Sequence, residues 1–201
     1  TALHDAVSDH LYYAVAGSSG KTMSAGGEEV FYGGPDTLEI CGDPENLGAV
    51  KPAYGLTNGL AVGASFTCSA PSVWMNAENT ITATCDGYKV YVENSLYTEG
   101  KDNEFTYEHP DCRGGARLDW QWSIKYKVAP VVGGEGSVSV SGDGWFAPGE
   151  TATVTAVPTE DAAFHHWEGD VDEADGFSPT IRLTIGATPA NILCQFILVF
   201  A

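Results

Sequence analysis

Acidic side chains crowd one short segment near the C-terminal end of the sequence. Asp170, Asp172, Glu173 and Asp175 precede Gly176. Calcium takes about six to eight oxygen ligands, which an acidic loop can supply. The spacing does not match the EF-hand loop, which needs alternating acids followed by a distal glutamate. We therefore name Asp170, Asp172 and Asp175 as candidate ligands of a weak calcium site, with a solvated acidic loop as the alternative.

Other residue types that carry chemistry form no catalytic motif. The chain has five histidines but no His-Glu-x-x-His pair for zinc, and no Gly-x-Ser-x-Gly elbow for a nucleophilic serine. His165 and His166 are adjacent, and in a regular strand one ring would face outward and the other inward. Metal binding there and a packed ring beside an exposed ring are both open. We predict no catalytic residue, no cofactor other than the calcium considered above, and no enzymatic activity.

Cysteine spacing bears on the redox compartment. The five cysteines are Cys41, Cys68, Cys85, Cys112 and Cys194. None stands in a Cys-x-x-Cys pair and no histidine lies at zinc-finger spacing, which argues against a metal cluster. The concentration of four of them before residue 113 favours two disulfides and an oxidising compartment. We favour Cys68–Cys85 and Cys41–Cys112, because the residues around Cys68 and Cys85 have strand patterns that could fold back on each other. Buried thiols throughout are the alternative.

Charge and hydrophobicity exclude several classes of partner. The 201 residues include 27 acidic and 9 basic side chains, for a net charge of −18 at pH 7. Such a chain repels phosphate, so we expect neither nucleic acid nor an anionic membrane surface as a partner. No apolar run reaches the roughly 20 residues that span a bilayer. The sequence begins at Thr1 without a signal-peptide pattern, which predicts a processed product or an excised piece.

Hydrophobic patterning predicts an all-β protein. Short runs rich in Val, Ile, Thr and aromatic residues alternate with clusters of Gly, Pro, Asn and Asp, which is typical of sandwiches and barrels. Only Leu3–His10 has a helical pattern. A Pro- and Gly-containing segment at 129–134 suggests a domain boundary. We predict a disulfide-containing β-sandwich over residues 1–130 and a small β domain over 131–201, for which a β-rich α+β fold is the alternative.

The predicted second domain has a specific order of motifs. Along the chain these are Gly136-x-Val138-x-Val140, Pro148-Gly149-Glu150, Val154-Thr155-Ala156-x-Pro158, Phe164-x-x-Trp167-x-Gly169-Asp170, Pro179–Ile185 and a closing Phe196. This order resembles the divergent internalin-type B-repeat over roughly the last third of the chain. The resemblance implies a small β-rich module, often repeated in bacterial secreted or surface proteins, with no family-wide catalytic residue.

Aromatic residues are the predicted anchors of this domain. Phe164 and Trp167 are expected in the core, where such rings bury about 150–250 Å² each. Gly169 is expected to take a positive φ behind Trp167. Aromatic faces also stack on sugars, and Trp145, beside a turn, is the candidate for exposure, with a hairpin-closing packing role as the alternative.

The first predicted domain resembles, less specifically, a module that precedes such repeats in large exported bacterial proteins. The blocks that carry this likeness include Cys68–Pro71, Cys85–Tyr88 and Leu118–Trp122. We therefore predict an extracellular or cell-surface, non-catalytic structural or adhesive module. Its expected partners are neighbouring repeats, identical subunits, or a surface glycan or protein ligand. One alternative is a filament subunit whose terminal strand, such as Gln195–Ala201, completes a neighbour's sheet; another is a carbohydrate-binding module of a secreted enzyme.

Overall fold

A computed structural model describes the backbone of residues 2–5, 10–13, 21–25 and 28–32, and both backbone and side chains of residues 34–173 and 175–199. All regular elements in these parts are β-strands, which confirms the all-β prediction. Across the described residues there is no helix with the length and apolar character needed to cross a bilayer. In chain order the strands are β1 (Ala2–Asp5), β2 (His10–Tyr13), β3 (Lys21–Ala25), β4 (Glu28–Tyr32), β5 (Leu38–Asp43), β6 (Gly55–Thr57), β7 (Ser65–Ser69), β8 (Val73–Met75), β9 (Ile81–Val92), β10 (Ser95–Gly100), β11 (Glu104–Glu108), β12 (Ala116–Lys127), β13 (Val131–Gly133), β14 (Gly136–Val140), β15 (Trp145–Phe146), β16 (Thr151–Pro158), β17 (Ala162–Gly169), β18 (Thr180–Thr184) and β19 (Ile192–Leu198).

The segment predicted to be helical contains strands instead. β1 pairs antiparallel with β2, placing Ala2 opposite Tyr13 and Asp5 opposite His10. β3 and β4 form a second antiparallel pair. The helical prediction for Leu3–His10 is wrong because so short an apolar pattern does not distinguish a helix from a strand. Residues 6–9 lie outside the described part of the chain.

Two compact units divide the chain. The first comprises Thr1–Pro71 and Cys85–Trp122, and the second comprises Ser72–Thr84 and Ser123–Ala201. The long strands β9 and β12 therefore each contribute residues to both units. The boundary inferred from the sequence at 129–134 stays a prediction.

A mostly antiparallel sheet forms the centre of the first unit, in the order β10-β9-β12-β5-β6. β12 and β5 are its parallel pair, with Leu118 opposite Ile40. Alternate residues of β12 point into the core, so Leu118, Trp120 and Trp122 are buried. The β7–β11 pair lies over this sheet: the Phe105 ring stacks on Tyr88 with 3.6 Å between centroids, and meets Trp120 edge-on at 5.9 Å. These rings join the two layers.

The second unit contains two three-stranded sheets, β13-β19-β17 and β14-β16-β18. In addition, β8 pairs with the start of β9, and β15 pairs with the end of β12. In β16 and β18 of the second sheet, buried apolar residues alternate with more exposed polar residues, as in strands with one covered face. The core of the second unit includes residues of both sheets: Val154, Ile181, Trp167, Ile192 and Phe196.

Candidate ligand-binding site

A cleft of about 640 Å³ opens on the surface of the first unit. Its aromatic wall is formed by Tyr88, Tyr97, Phe105 and Tyr107. We call it the aromatic cleft. The rings of Tyr88 and Phe105 stack on each other between the two layers, and Tyr107 is buried and packs against Phe66. These contacts hold the wall rigidly.

Tyr97 is the wall residue that projects most freely. β10 pairs with β9 through Leu96 opposite Tyr91 and Thr98 opposite Val90, so Tyr97 is an extra residue in a β-bulge. A bulge leaves its extra residue unpaired and changes the direction of its side chain. Tyr97 is 60% exposed. Tyr107, whose pKa is raised mainly by burial, lines the same cleft.

A turn at the tip of the same hairpin sets this geometry. Glu93 and Asn94 connect β9 to β10 with φ angles of 50° and 63°. Two successive left-handed residues form the type of tight turn whose twist matches that of antiparallel strands. Glu93 also accepts a hydrogen bond at 2.8 Å from the backbone amide of Arg113, which anchors the turn to the loop after β11.

The polar groups at the base of the cleft bind one another. His109 Nε2 lies 2.8 Å from the carbonyl oxygen of Pro35, and its Nδ1 lies 2.9 Å from the Tyr107 hydroxyl. A carbonyl oxygen only accepts, so Nε2 carries the hydrogen and a neutral His109 accepts at Nδ1 from Tyr107. The pKa of Tyr107 is raised by burial, so its hydroxyl stays protonated at neutral pH. The pair stiffens the wall and offers no proton acceptor to a substrate.

Carboxylates give the cleft its charge. Glu108 and Asp111 line it and both are exposed, and no lysine or arginine is among the described residues that line it. Aromatic rings beside carboxylates suit a ligand with an apolar face and hydrogen-bond donors. An anionic ligand would be repelled.

Of the three residues predicted to bind calcium, Asp170 uses its carboxylate to bind the backbone, whereas Asp172 and Asp175 are joined through their own backbone groups. The Asp170 carboxylate accepts a hydrogen bond at 2.8 Å from the Asn191 amide, and the Asp172 carbonyl accepts one at 2.9 Å from the Asp175 amide. In the described part of the chain, no group of three or more His, Cys, Asp or Glu side chains could hold a metal ion. The calcium site stays a prediction.

Neither of the predicted disulfides, Cys68–Cys85 and Cys41–Cys112, is formed, although all five cysteines are described. The surroundings of two tyrosines, the half-buried Tyr54 and the buried Tyr107, indicate how the cysteines are grouped. The pKa of each is raised, first by burial and then by nearby thiols. These thiols are Cys85 and Cys41 near Tyr54, and Cys112 and Cys68 near Tyr107. Each predicted pair takes one cysteine from each neighbourhood.

The predicted aromatic anchors have different environments. Trp167 is buried, whereas Phe164 is half-buried with its ring centroid 5.6 Å from that of Trp167. Gly169 has φ of +98°, and a Cβ there would collide with the carbonyl oxygen of Asn191. Trp145 is half-buried, with Lys127 Nζ 5.5 Å from its ring centroid.

Tyr97 was missed by the sequence analysis. Its segment follows an Asn-containing turn and would be assigned to an edge strand, but nothing in the local pattern shows that Tyr97 is the bulged residue. The register of β10 against β9 determines that. The sequence analysis named Trp145 as the aromatic residue expected to be exposed, but none of the tryptophans is exposed.

Comparison with known proteins bears on the C-terminal part of the chain. No curated protein and no solved structure matches the chain. A family model matches residues 126–199, beginning inside β12 and ending just beyond β19. That family is a non-catalytic repeat of bacterial surface proteins. The resemblance inferred from the order of motifs is thus confirmed: the C-terminal third of the chain is similar to the divergent InlB B-repeat domain.

Proposed function

We propose that this chain is a non-catalytic adhesive module of an exported bacterial protein, acting outside the cell or at its surface. The B-repeat match supports the setting, because that family comes from bacterial surface proteins. The observation that carries the adhesive role is the aromatic cleft, in which a bulge directs Tyr97 toward solvent beside two carboxylates.

The ligand that best fits this cleft is a neutral glycan. The flat apolar face of a sugar ring stacks on an aromatic side chain, as Tyr97 would allow. Glu108 and Asp111 can accept hydrogen bonds from sugar hydroxyls. Uronic acids and sulfated sugars would meet these carboxylates and a chain of net charge −18. Neutral glycans are therefore preferred over anionic ones.

An array of neutral and anionic glycans, probed with the full chain, tests the proposal. We expect binding to neutral glycans and a loss of affinity on the order of tenfold in Tyr97→Ala, since an aromatic contact contributes about 0.5–1.5 kcal/mol. Leu96→Ala is the matched control, because Leu96 is an exposed neighbour that does not line the cleft. Absence of glycan binding, or equal binding by wild type and Tyr97→Ala, would refute the proposal.

The filament alternative requires β19 to leave its own sheet. Leu193, Cys194 and Gln195 pair with β13 on one side and β17 on the other. Donating Gln195–Leu198 to a neighbour would break these existing backbone hydrogen bonds. A carbohydrate-binding module of a secreted enzyme would use the same cleft, so the glycan array tests its ligand binding as well.

A further inference from the structure

A second β-bulge brings two histidines together on the second unit. β17 pairs with β19 through Phe164 opposite Phe196 and then His166 opposite Gln195, so His165 is the extra residue. Consecutive residues of a regular strand point to opposite faces, whereas a bulge redirects one of them. The two imidazole rings here lie 4.5 Å apart at an angle of 77°. Their Nδ1 atoms are 2.6 Å apart.

The hydrogen bonds of His166 determine which nitrogen carries its proton. His166 Nε2 lies 2.8 Å from Glu168 Oε1. An ionised carboxylate only accepts, so Nε2 donates, and the neutral ring keeps a lone pair on Nδ1 directed toward His165. Histidines that bind metals commonly donate their other ring N–H to a carboxylate, which fixes the tautomer and the ring orientation. Glu168 holds His166 in that arrangement.

We propose that His165 and His166 bind a divalent transition-metal ion of the Zn²⁺, Ni²⁺ or Cu²⁺ type through their Nδ1 atoms, with Glu168 as a positioning residue. Imidazole nitrogens bind zinc at about 2.0–2.1 Å, so two of them on one tetrahedral ion stand about 3.3 Å apart. The rings must separate slightly from their present contact. His165 is exposed and can rotate to allow this.

The surroundings favour a cation and leave room for it. Glu168, Asp172 and Glu173 line a neighbouring groove of about 500 Å³, and in the part of the chain that the structure describes this lining includes no lysine or arginine. The His166 side chain is 25% exposed, so water or an external ligand can complete the coordination. Two protein nitrogens make this an open site with exchangeable positions, which is a different arrangement from the closed sites of four protein ligands found in structural zinc centres.

Titration of the full chain with Zn²⁺ and Cu²⁺ tests the proposal. We expect one ion per chain in calorimetry, and Cu²⁺ electron paramagnetic resonance should show hyperfine coupling to two nitrogens. His165→Ala and His166→Ala should each weaken binding more than tenfold and leave one coupled nitrogen. Glu168→Gln should weaken it about tenfold or more, as loss of a supporting carboxylate does at other sites. Glu160→Gln, the same change at an exposed carboxylate, should have no effect.

Two outcomes would overturn the proposal. One is unchanged Cu²⁺ coupling in His165→Ala and His166→Ala. The other is binding that disappears when His4 and His10 are both replaced by alanine while His165 and His166 are intact. If a variant fails to fold, nitrogen-15 chemical shifts of the wild-type imidazoles decide the matter, because Zn²⁺ must shift Nδ1 of both residues. Calcium, which prefers oxygen ligands, should leave those shifts unchanged.

Discussion

The indole Nε1 of Trp167 donates a hydrogen bond of 2.8 Å to the carbonyl oxygen of Ser178. The backbone amide of the same tryptophan donates one of 2.7 Å to Gly176. Trp167 therefore holds the loop between β17 and β18 from its ring and from its backbone. Trp167 is only 4% exposed, so these bonds form in a largely dry environment. Trp167 thus anchors the end of the acidic segment at Gly176 and Ser178.

Two substitutions at Trp167 measure separately what its hydrogen bond and its packing contribute to the free energy of unfolding. Trp167→Phe keeps most of the ring area but loses the bond to Ser178, so the free energy of unfolding should fall by about 1 kcal/mol plus the cost of the smaller ring. Trp167→Ala should cost about 3–5 kcal/mol because it leaves a cavity. Urea unfolding followed by circular dichroism measures both changes. Equal losses in the two variants would show that the ring packing contributes little.

Replacing Gly169 by alanine should lower the free energy of unfolding far more than the same change at a glycine of positive φ with open space around it. At Gly169 an added Cβ meets the Asn191 carbonyl oxygen, whereas at Gly142, with φ of +64°, nothing lies within 4 Å. Gly142→Ala should cost about 1–2 kcal/mol for the left-handed conformation alone. Gly169→Ala should cost clearly more, since the backbone at Asn191 must also move. Chemical unfolding of the two variants side by side decides this, and similar losses would contradict the steric argument.

The contributions of Arg117 and Asp119 to the free energy of unfolding should depend strongly on each other. Arg117 Nε and Nη2 lie 2.8 and 2.6 Å from the Asp119 carboxylate, and Asp119 is 4% exposed. Removing the arginine leaves a nearly buried carboxylate without its cation, so Arg117→Met should cost about 2–3 kcal/mol. In a double-mutant cycle, adding Asp119→Asn should recover part of that loss. Additive losses in urea unfolding would argue against a direct interaction.

Stability should fall in alkali because of a buried thiol. Burial raises the pKa of Cys68 to about 12, above that of the thiol in an unfolded chain. The folded protein therefore holds this proton more tightly, so the stabilisation is complete below about pH 9 and is lost as pH rises toward 12. Unfolding midpoints in urea at pH 8 and pH 10.5 should differ more for wild type than for Cys68→Ala.

A parallel loss of stability in both proteins would assign the alkaline effect to other groups. Tyr107 and Tyr54 are the main candidates, because burial raises their pKa values in the same direction. Thiol labelling provides an independent check, since native Cys68 should react only when the protein unfolds. Fast labelling of native Cys68 at pH 8 would contradict its burial.

Local patterns determined the strand content and the family resemblance from sequence alone. In β14, β16 and β18, apolar and polar residues alternate with a period of two, which only an extended chain with one covered face requires. The order of turns and aromatic residues around Trp167 and Gly169 likewise indicated the family resemblance from the sequence. Leu3–His10 failed because its pattern is too short to be specific.

Only the tertiary structure decided where the chemically interesting groups meet. Tyr97 and His165 are directed by β-bulges, and a bulge exists only relative to the register of a partner strand. Strand order also brings distant segments together: β5 pairs in parallel with β12, a strand more than 70 residues later, which no local pattern shows. Sequence by itself determined that the chain forms acidic β-modules and that its last third has a bacterial repeat pattern. Strand register determined the cleft and the histidine pair, because the hydrogen bonds between paired strands decide which side chains share a face.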